Sequence, residues 1–400
     1  MSAESLITGE PDDSLPLLIR VSGRDRPRLT RDLLGLVAGS GAQLEDMEQL
    51  VVRERLTLDM LVRLDGASDA LVRDILFWGF RNDMKIDFER VEATSQRAAL
   101  RRHAVTVLGQ PLTPLALAAV AEAIGETGGN IDRIVRLATT PVTAYDLVVI
   151  APDPDAMRTA LVAVARDHQI DVAVQVNGLE RRAKRLVVMD VDSTLIADEV
   201  IELLADEAGC RAEVEAVTTA AMAGELDFEA SLRERVRRLA GLESGALDRV
   251  AARIRLTPGA RTFVSTLQRM GFAVAVVSGG FTVFTDRLRA ELGLDHAHAN
   301  TLEIVDGRLT GEVIGQVVDR ARKAELLVEI AGTLGILPSQ TVAIGDGAND
   351  LDMLAASGLG IAFNAKPAVR ARAHTTVSVP RLDVILFMLG VRGAEVDHVD

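Results

Sequence analysis

The sequence predicts an α/β protein in which a Rossmann-like parallel sheet, with a helical cap inserted after its first strand, is preceded by two βαββαβ (ferredoxin-like) α+β domains. Three observations predict this. Two stretches of the first half repeat one order of apolar alternation, helical periodicity and glycine turns. The second half instead alternates short continuous apolar runs with helical patterns, the mark of a parallel sheet buried on both faces. Three of those runs end in clusters of Asp, Ser, Asn and Gly, where a parallel sheet presents its ligand crevice.

The first repeat opens with a strand at residues 15–23, followed by a helix through Leu33, Leu34, Leu36 and Val37. The second opens at 104–109, with a helix through Leu115, Val120 and Ile124. The helices stop at Gly39 and Gly41 and at Gly128 and Gly129, where a left-handed cap is expected. Strands follow at 44–52 and 131–138, then at 56–64 and 142–150, and each repeat closes with a helix and a strand. That order builds a two-layer unit with its helices on one face of an antiparallel sheet. The expected domains are residues 15–95 and 101–178, joined by a polar segment at 93–102. Residues 1–14, polar and acidic, read as a disordered arm rather than a secretory signal.

A basic linker at 177–185 leads into the third domain, expected at 184–390. Its apolar runs are 186–189, 272–277, 341–344 and 359–363. The stretch between the first two is too long for an ordinary crossover. Helical periodicity at 199–208 and 228–240 makes it a cap, about 197–254, over the sheet. The acidic tail, 391–400, is expected to fray.

Aromatics make up 3% of the chain, so the cores rest on Leu, Val, Ile and Ala. One cysteine, Cys210, excludes an intrachain disulfide and fits a reducing compartment. No apolar run approaches the ~18–20 residues that span a bilayer. A net charge of −14 argues against nucleic acid or an anionic membrane as partner, and the chain is expected in the cytoplasm.

The chemistry lies at the strand ends. Met189 gives way to Asp190-Val-Asp192-Ser-Thr194, Val277 to Ser278-Gly279-Gly280, and Ile344 to Gly345-Asp346-Gly-Ala-Asn349-Asp350. These groups should converge on one rim, although Asp192-Ser-Thr alone also fits a helix-capping turn. Clustered carboxylates call for a hard cation, and Mg²⁺ suits a site of few carboxylates with room for a phosphate oxygen. Such an ion also answers how so acidic a protein handles phosphate. Asp190 and Asp346 are the expected carboxylate ligands, with the Asp192 carbonyl as a third. A carboxylate beside a phosphate is a plausible nucleophile, here Asp190, and Asp192 can act as general acid and base. Ser278 and the Gly279 amide can donate to phosphate oxygens, and Lys323 can supply fixed positive charge.

In order, Asp190-Val-Asp192-Ser-Thr194, Ser278-Gly-Gly, Lys323 and Gly345-Asp346-Gly-Ala-Asn349-Asp350 resemble the four motifs of the haloacid dehalogenase-like phosphatases. Residues 192–199, 224–236, 276–281 and 361–367 more closely resemble the phosphoserine phosphatases within that superfamily. The likeness covers roughly 184–389. It implies hydrolysis of phosphoserine, the last step of serine biosynthesis, through a phospho-aspartate. It gives Asp190 as nucleophile and Asp192 as acid/base, with Asp190, Asp192 and Asp346 on Mg²⁺. Ser278, Gly279, Lys323 and Asn349 would hold phosphate, and Glu199 and Arg235 the amine and carboxylate of serine. A zwitterion does need one anion and one forked cation, though Arg235 among Arg233, Arg237 and Arg238 also fits a solvated basic face. Met222 and Phe228 would wall the closed cap. The paired repeats resemble ACT domains, which implies an amino-acid effector such as serine near Gly23 and Gly109, and a homodimer. Two other readings stay open: a Mg²⁺-dependent phosphatase of another small phosphoester, and an amino-acid-responsive regulatory protein.

Overall fold

The structure, a computed structural model, describes residues 15–64, 68–91, 101–222, 226–370, 372–373 and 375–399. The expected arm and most of the joint at 93–102 lie outside the described residues. The chain forms two compact units, residues 1–99 and 100–400.

In the first unit, β1 (Leu17–Arg24), α1 (Leu29–Gly39), β2 (Gln43–Val52), β3 (Arg55–Arg63), α2 (Asp69–Asn82) and β4 (Met84–Arg90) follow in order. The antiparallel sheet runs β2-β3-β1-β4. Alternation in β3 turns Leu56, Leu58, Met60 and Val62 onto Leu33 and Val37 of α1 and Leu71 and Ile75 of α2. Each such side chain contributes roughly 1.5–3 kcal/mol by leaving water. Edge strand β2 behaves differently, being exposed along its whole length.

The second unit opens with the same topology: β5 (Arg102–Gly109), α3 (Pro114–Glu126), β6 (Asn130–Ala138), β7 (Thr143–Ile150), α4 (Pro154–His168) and β8 (Asp171–Val176), with sheet order β6-β7-β5-β8. Thr113 and Asp153 cap α3 and α4 through their side-chain oxygens, each followed by a proline whose missing N–H costs nothing there. One face of the sheet packs Val105, Val107, Leu147 and Val149 under these helices. The other face, with Leu108, Ala144 and Ala173, is buried in the core of the following domain. Polar contacts fix this seam. Asp171 accepts from Ser378 N and Oγ at 2.8 and 2.9 Å, and Gln175 Nε2 donates to the Met388 carbonyl at 2.8 Å. Arg181 grips Asp146 at 2.9 Å.

Past the short helix α5 (Leu179–Arg182) comes β9 (Leu186–Met189), four residues buried on both faces. The cap is built from α6 (Val200–Ala208), α7 (Arg211–Met222), α8 (Phe228–Arg237) and α9 (Gly245–Ala251). Then follow α10 (Ala260–Arg269), β10 (Ala273–Phe281), α11 (Thr282–Leu292), β11 (His296–Val305), β12 (Arg308–Ile314), α12 (Arg320–Thr333), β13 (Thr341–Gly345), α13 (Leu351–Ala356), β14 (Leu359–Phe363) and β15 (Thr375–Val377). The seven-stranded sheet runs β12-β11-β10-β9-β13-β14-β15. All neighbours are parallel except β12, which returns antiparallel beside β11. This places β9, β10 and β13 side by side at the centre, with their carboxyl ends on one rim.

Two features differ from expectation. The β11–β12 hairpin was not foreseen, although Asp306-Gly307, both at positive φ, is a turn that favours two-residue hairpins. The tail does not fray over its described residues: Val391 and Val396 are buried in the main core, and Val399 N donates to Thr262 Oγ1 at 3.1 Å. Apolar residues spaced among the acids let this segment pack despite its charge. No described helix is long and apolar enough to cross a membrane.

Candidate active site

Three strand ends build the centre. Asp190 leaves β9, and its backbone N–H donates to the Ile344 carbonyl of β13 at 2.9 Å, extending the ladder to the rim. Its Oδ1 accepts from Val191 N at 2.7 Å and its Oδ2 meets Lys323 Nζ at 2.8 Å. A tight turn, closed by Ile196 N on the Val191 carbonyl at 3.0 Å, then carries Asp192, Ser193 and Thr194. Ser193 sits at φ 55°, a left-handed conformation that costs a non-glycine residue about 1–3 kcal/mol. That strain turns Ser193 Oγ onto Glu199 Oε1 at 2.6 Å. Thr194 Oγ1 donates to Asp346 Oδ1 at 3.2 Å, tying the turn to the end of β13.

Lys323 reaches the centre from the first turn of α12, whose start is capped by the Asp319 carboxylate. It is fully buried, and its ammonium bridges Asp190 and Asp350, the latter at 2.7 Å. Burial alone would lower its pKa, but the two carboxylates win and hold it above its ordinary value. Sequence reasoning placed Asp350 on the rim without a role. Its partner lies 27 residues away, so only the fold reveals the pairing. Asp350 Oδ2 also accepts from Gly347 N at 3.0 Å, so both oxygens are engaged.

At the end of β10, Ser278 is buried, and its Oγ accepts from Gly280 N at 2.8 Å, leaving its own proton free to donate. A Cβ on Gly280 would lie 2.9 Å from Asp192 Oδ2, so glycine lets the loop and that carboxylate approach. Asn300 was missed in the sequence. Buried at the sheet end, it donates to the Gly279 carbonyl and accepts from Val318 N, both at 2.8 Å, fixing the peptide plane of the loop. A polar residue inside the alternation of β11 was the available signal. Asn349 lies in the short turn between β13 and α13, half-buried, with its amide over Gly347.

The cap supplies the remaining groups. Glu199 stands at the start of α6, while Asp192 Oδ1 accepts from the next amide, Val200 N, at 3.1 Å. Arg235 on α8 is half-buried and has no carboxylate within ion-pair distance among the described residues; its Nε bonds the Ser231 carbonyl at 3.3 Å. Burial lowers its pKa, opposed by the nearby charges of Glu199 and Asp192. The alternative of a solvated basic face fits Arg237 and Arg238, which are exposed and paired with Glu234. Phe228 lies against the Ser278 loop, where a Cβ on Gly279 would come within 2.9 Å of its ring. The Met222 side chain lies outside the described residues. Gly23 ends its strand against Met84, and Gly109 against Leu112; both are close-packing positions.

Burial, then Asp350, then Glu199 push the Asp346 carboxyl up to about 6. Burial and Glu199 push Asp192 to about 7, and burial with the Asp350 charge raises Asp190 well above the carboxylate range. Ligand oxygens of Asp190, Asp346 and Asp350 lie within 4.8 Å of one another. An all-oxygen donor set in which burial and neighbouring charge hold the Asp190 and Asp346 carboxyls above their ordinary range fits a hard divalent cation. Asp190 and Asp350 each have both oxygens hydrogen-bonded, and Asp346 accepts from Thr194 through Oδ1.

Residues 187–355 match the haloacid dehalogenase-like hydrolase family, and residues 16–89 and 101–175 each match an ACT domain. The chain is 52% identical to a phosphoserine phosphatase of Streptomyces coelicolor over 98% of its own length and 96% of the relative's. It is 46% identical to a phosphoserine phosphatase of Mycobacterium tuberculosis, covering 96% and 95%. Among solved structures, a haloacid dehalogenase-family hydrolase of Salmonella enterica aligns at TM-score 0.63 and 31% identity, over 72% of this chain and 98% of that one. A probable phosphoserine phosphatase of Vibrio cholerae aligns at 0.58 and 35%, over 76% and 90%.

Proposed function

Because the chain belongs to the phosphoserine phosphatase family of haloacid dehalogenase-like hydrolases, we propose that it converts O-phospho-L-serine and water to L-serine and phosphate through a phospho-aspartate at Asp190. This is the last step of serine biosynthesis. The observation that carries the assignment of roles is the fully buried Lys323 bridging Asp190 and Asp350, with Asp192 alongside at the cap boundary.

Asp190 attacks phosphorus from its fixed position, and the bond from phosphorus to the seryl oxygen breaks. Asp192, protonated near neutrality because burial and Glu199 raise its pKa to about 7, gives its proton to the departing oxygen. Water then attacks the phospho-aspartate, Asp192 takes its proton back, and phosphate leaves with Asp190 restored. Throughout, Lys323, the Ser278 hydroxyl, the Gly279 amide and Asn349 hold the phosphoryl oxygens. Asp190, Asp346 and the Asp192 carbonyl would hold Mg²⁺, which supplies charge neutralisation at the phosphoryl group. Glu199 takes the ammonium of serine and Arg235 its carboxylate, which a guanidinium with no ion-pair partner among the described residues supports. Phe228 excludes water beside the loop. The ACT domains support regulation by an amino acid such as serine, and the exposed edge strand β2 supports a homodimer.

Phosphate release from phosphoserine, phosphothreonine and sugar phosphates, with Mg²⁺ and with EDTA, tests this reading. Mg²⁺-dependent turnover of phosphoserine, reduced at least about 10⁴-fold in Asp190→Asn, is expected. Equal turnover of sugar phosphates would refute the roles given to Glu199 and Arg235.

A further inference from the structure

Asn300 stands outside every motif that the sequence singled out, yet it is 1% exposed and spends both ends of its side-chain amide at the catalytic rim. The register of the sheet explains why. Strands β10 and β11 pair in step as far as Val277 opposite His298, and pair again at Phe281 opposite Asn300. Four steps along β10 therefore answer to two along β11, and Ser278, Gly279 and Gly280 bulge out of step with the ladder. A buried carbonyl in such a bulge needs another donor. Asn300 Nδ2 supplies it to Gly279 at 2.8 Å.

Two lines of contact leave this amide. On one side, the Gly279 carbonyl and the Gly280 N–H belong to one planar peptide, and that N–H donates to Ser278 Oγ at 2.8 Å. Holding the carbonyl therefore holds the N–H that makes Ser278 Oγ an acceptor and leaves its proton for a phosphoryl oxygen. On the other side, Asn300 Oδ1 accepts from Val318 N at 2.8 Å. The next residue, Asp319, caps α12, and Lys323 follows in the first turn with its N–H on the Asp319 carbonyl at 3.0 Å. Loop and helix start lie close together, since a Cβ on Gly279 would sit 3.9 Å from the Val318 carbonyl oxygen. Joining a carbonyl to an N–H takes a donor and an acceptor side by side, which an amide offers and an ionised carboxylate does not.

We propose that Asn300 is a positioning residue for the phosphatase reaction. It sets the spacing between the Ser278 hydroxyl and the Lys323 ammonium, so that two groups from different elements grip one phosphoryl group. This rests on the reading of Ser278 and Lys323 as phosphoryl-holding groups, and Asn300 acts through them.

Steady-state phosphate release by the full-length Mg²⁺ enzyme, with inorganic phosphate and L-serine as product inhibitors, tests this in Asn300→Ala, Ser278→Ala and the double variant. Asn300→Ala should lower kcat about 10²-fold, the effect of a misplaced holding group. It should raise the Ki of inorganic phosphate about tenfold, while the Ki of L-serine stays within a factor of about two. In the Ser278→Ala background the same substitution should cost about tenfold or less, because an absent hydroxyl is not misplaced. Asn300→Asp keeps the bond from Val318 N and loses the donor to Gly279; it serves if the alanine variant fails to fold, with the same pattern expected. Equal losses with and without the Ser278 hydroxyl, or phosphate and serine inhibition weakening together, would overturn the role of Asn300. So would a kcat within a factor of about two of wild type. If Ser278→Ala itself left kcat and phosphate inhibition unchanged, the reading of Ser278 would fall first and the proposal with it.

Discussion

Replacing Lys323 with methionine tests the centre of the site by removing one charge at nearly constant shape. The ammonium is fully buried and sits 2.8 Å from Asp190 and 2.7 Å from Asp350. Removing one partner of such a buried group costs about 3–5 kcal/mol, because the remaining charges are left uncompensated. At roughly 2–4 °C per kcal/mol for a domain of this size, Tm should fall by about 6–20 °C. Without the lysine, the folded state holds the Asp190 carboxyl still further above the unfolded value of about 3.9. Groups shifted in that sense contribute full stability below the unfolded pKa and lose it as pH rises through the folded one. The deficit should therefore be small near pH 5 and large near pH 8. On the role proposed for Lys323 at the phosphoryl oxygens, its loss should lower kcat by about 10²–10³ at neutral pH. Differential scanning fluorimetry across pH and phosphate release at saturating phosphoserine measure both. A Tm deficit that does not change with pH, or a kcat within a factor of about two of wild type, would refute the reasoning.

Gly280→Ala places a Cβ 2.9 Å from Asp192 Oδ2 and 3.0 Å from Ser278 Oγ; kcat should drop roughly 10²-fold from misplacement of the acid, with little change in Tm. Arg235→Lys keeps the charge but loses the fork, so KM for phosphoserine should rise about tenfold, the equivalent of one charged hydrogen bond, with kcat less affected. On the ligand role proposed for Asp346, whose carboxyl is pushed up to about 6, a proton competes with the metal, and the half-saturating Mg²⁺ concentration should rise as pH falls below that value. It should level off above about pH 7; thermal shifts against Mg²⁺ concentration at pH 5 and pH 7.5 check this.

The convergence of the strand-end motifs was legible because β9, β10 and β13 are continuous apolar runs, and a parallel sheet brings the residues that follow them together whatever their sequence separation. The doubled βαββαβ order was legible because glycine turns punctuate both copies at the same places. Asp350 and Asn300 were not assigned, because each acts by satisfying a neighbour that only the folded chain supplies: a lysine from α12 for one, the Gly279 carbonyl and Val318 amide for the other. Hairpin β11–β12 escaped because helical and parallel-strand syntax had set the expectation for the whole domain, and the Asp306-Gly307 turn was passed over. The tail was misjudged from its acids, when its spaced valines decided the packing.

The Asp171–Ser378 contact bears on how the enzyme can be cut apart. Strands β8 and β15 are each the last of their sheets, and they lie together. Severing the chain in the basic linker would bare two strand edges at once, along with Leu108, Ala144 and Ala173 on one side of the cut. Bare edges next to apolar surface are templates for self-association. A catalytic fragment made by truncation would then need its own covering for β15, and its solubility would report on that edge before any assay reported on catalysis.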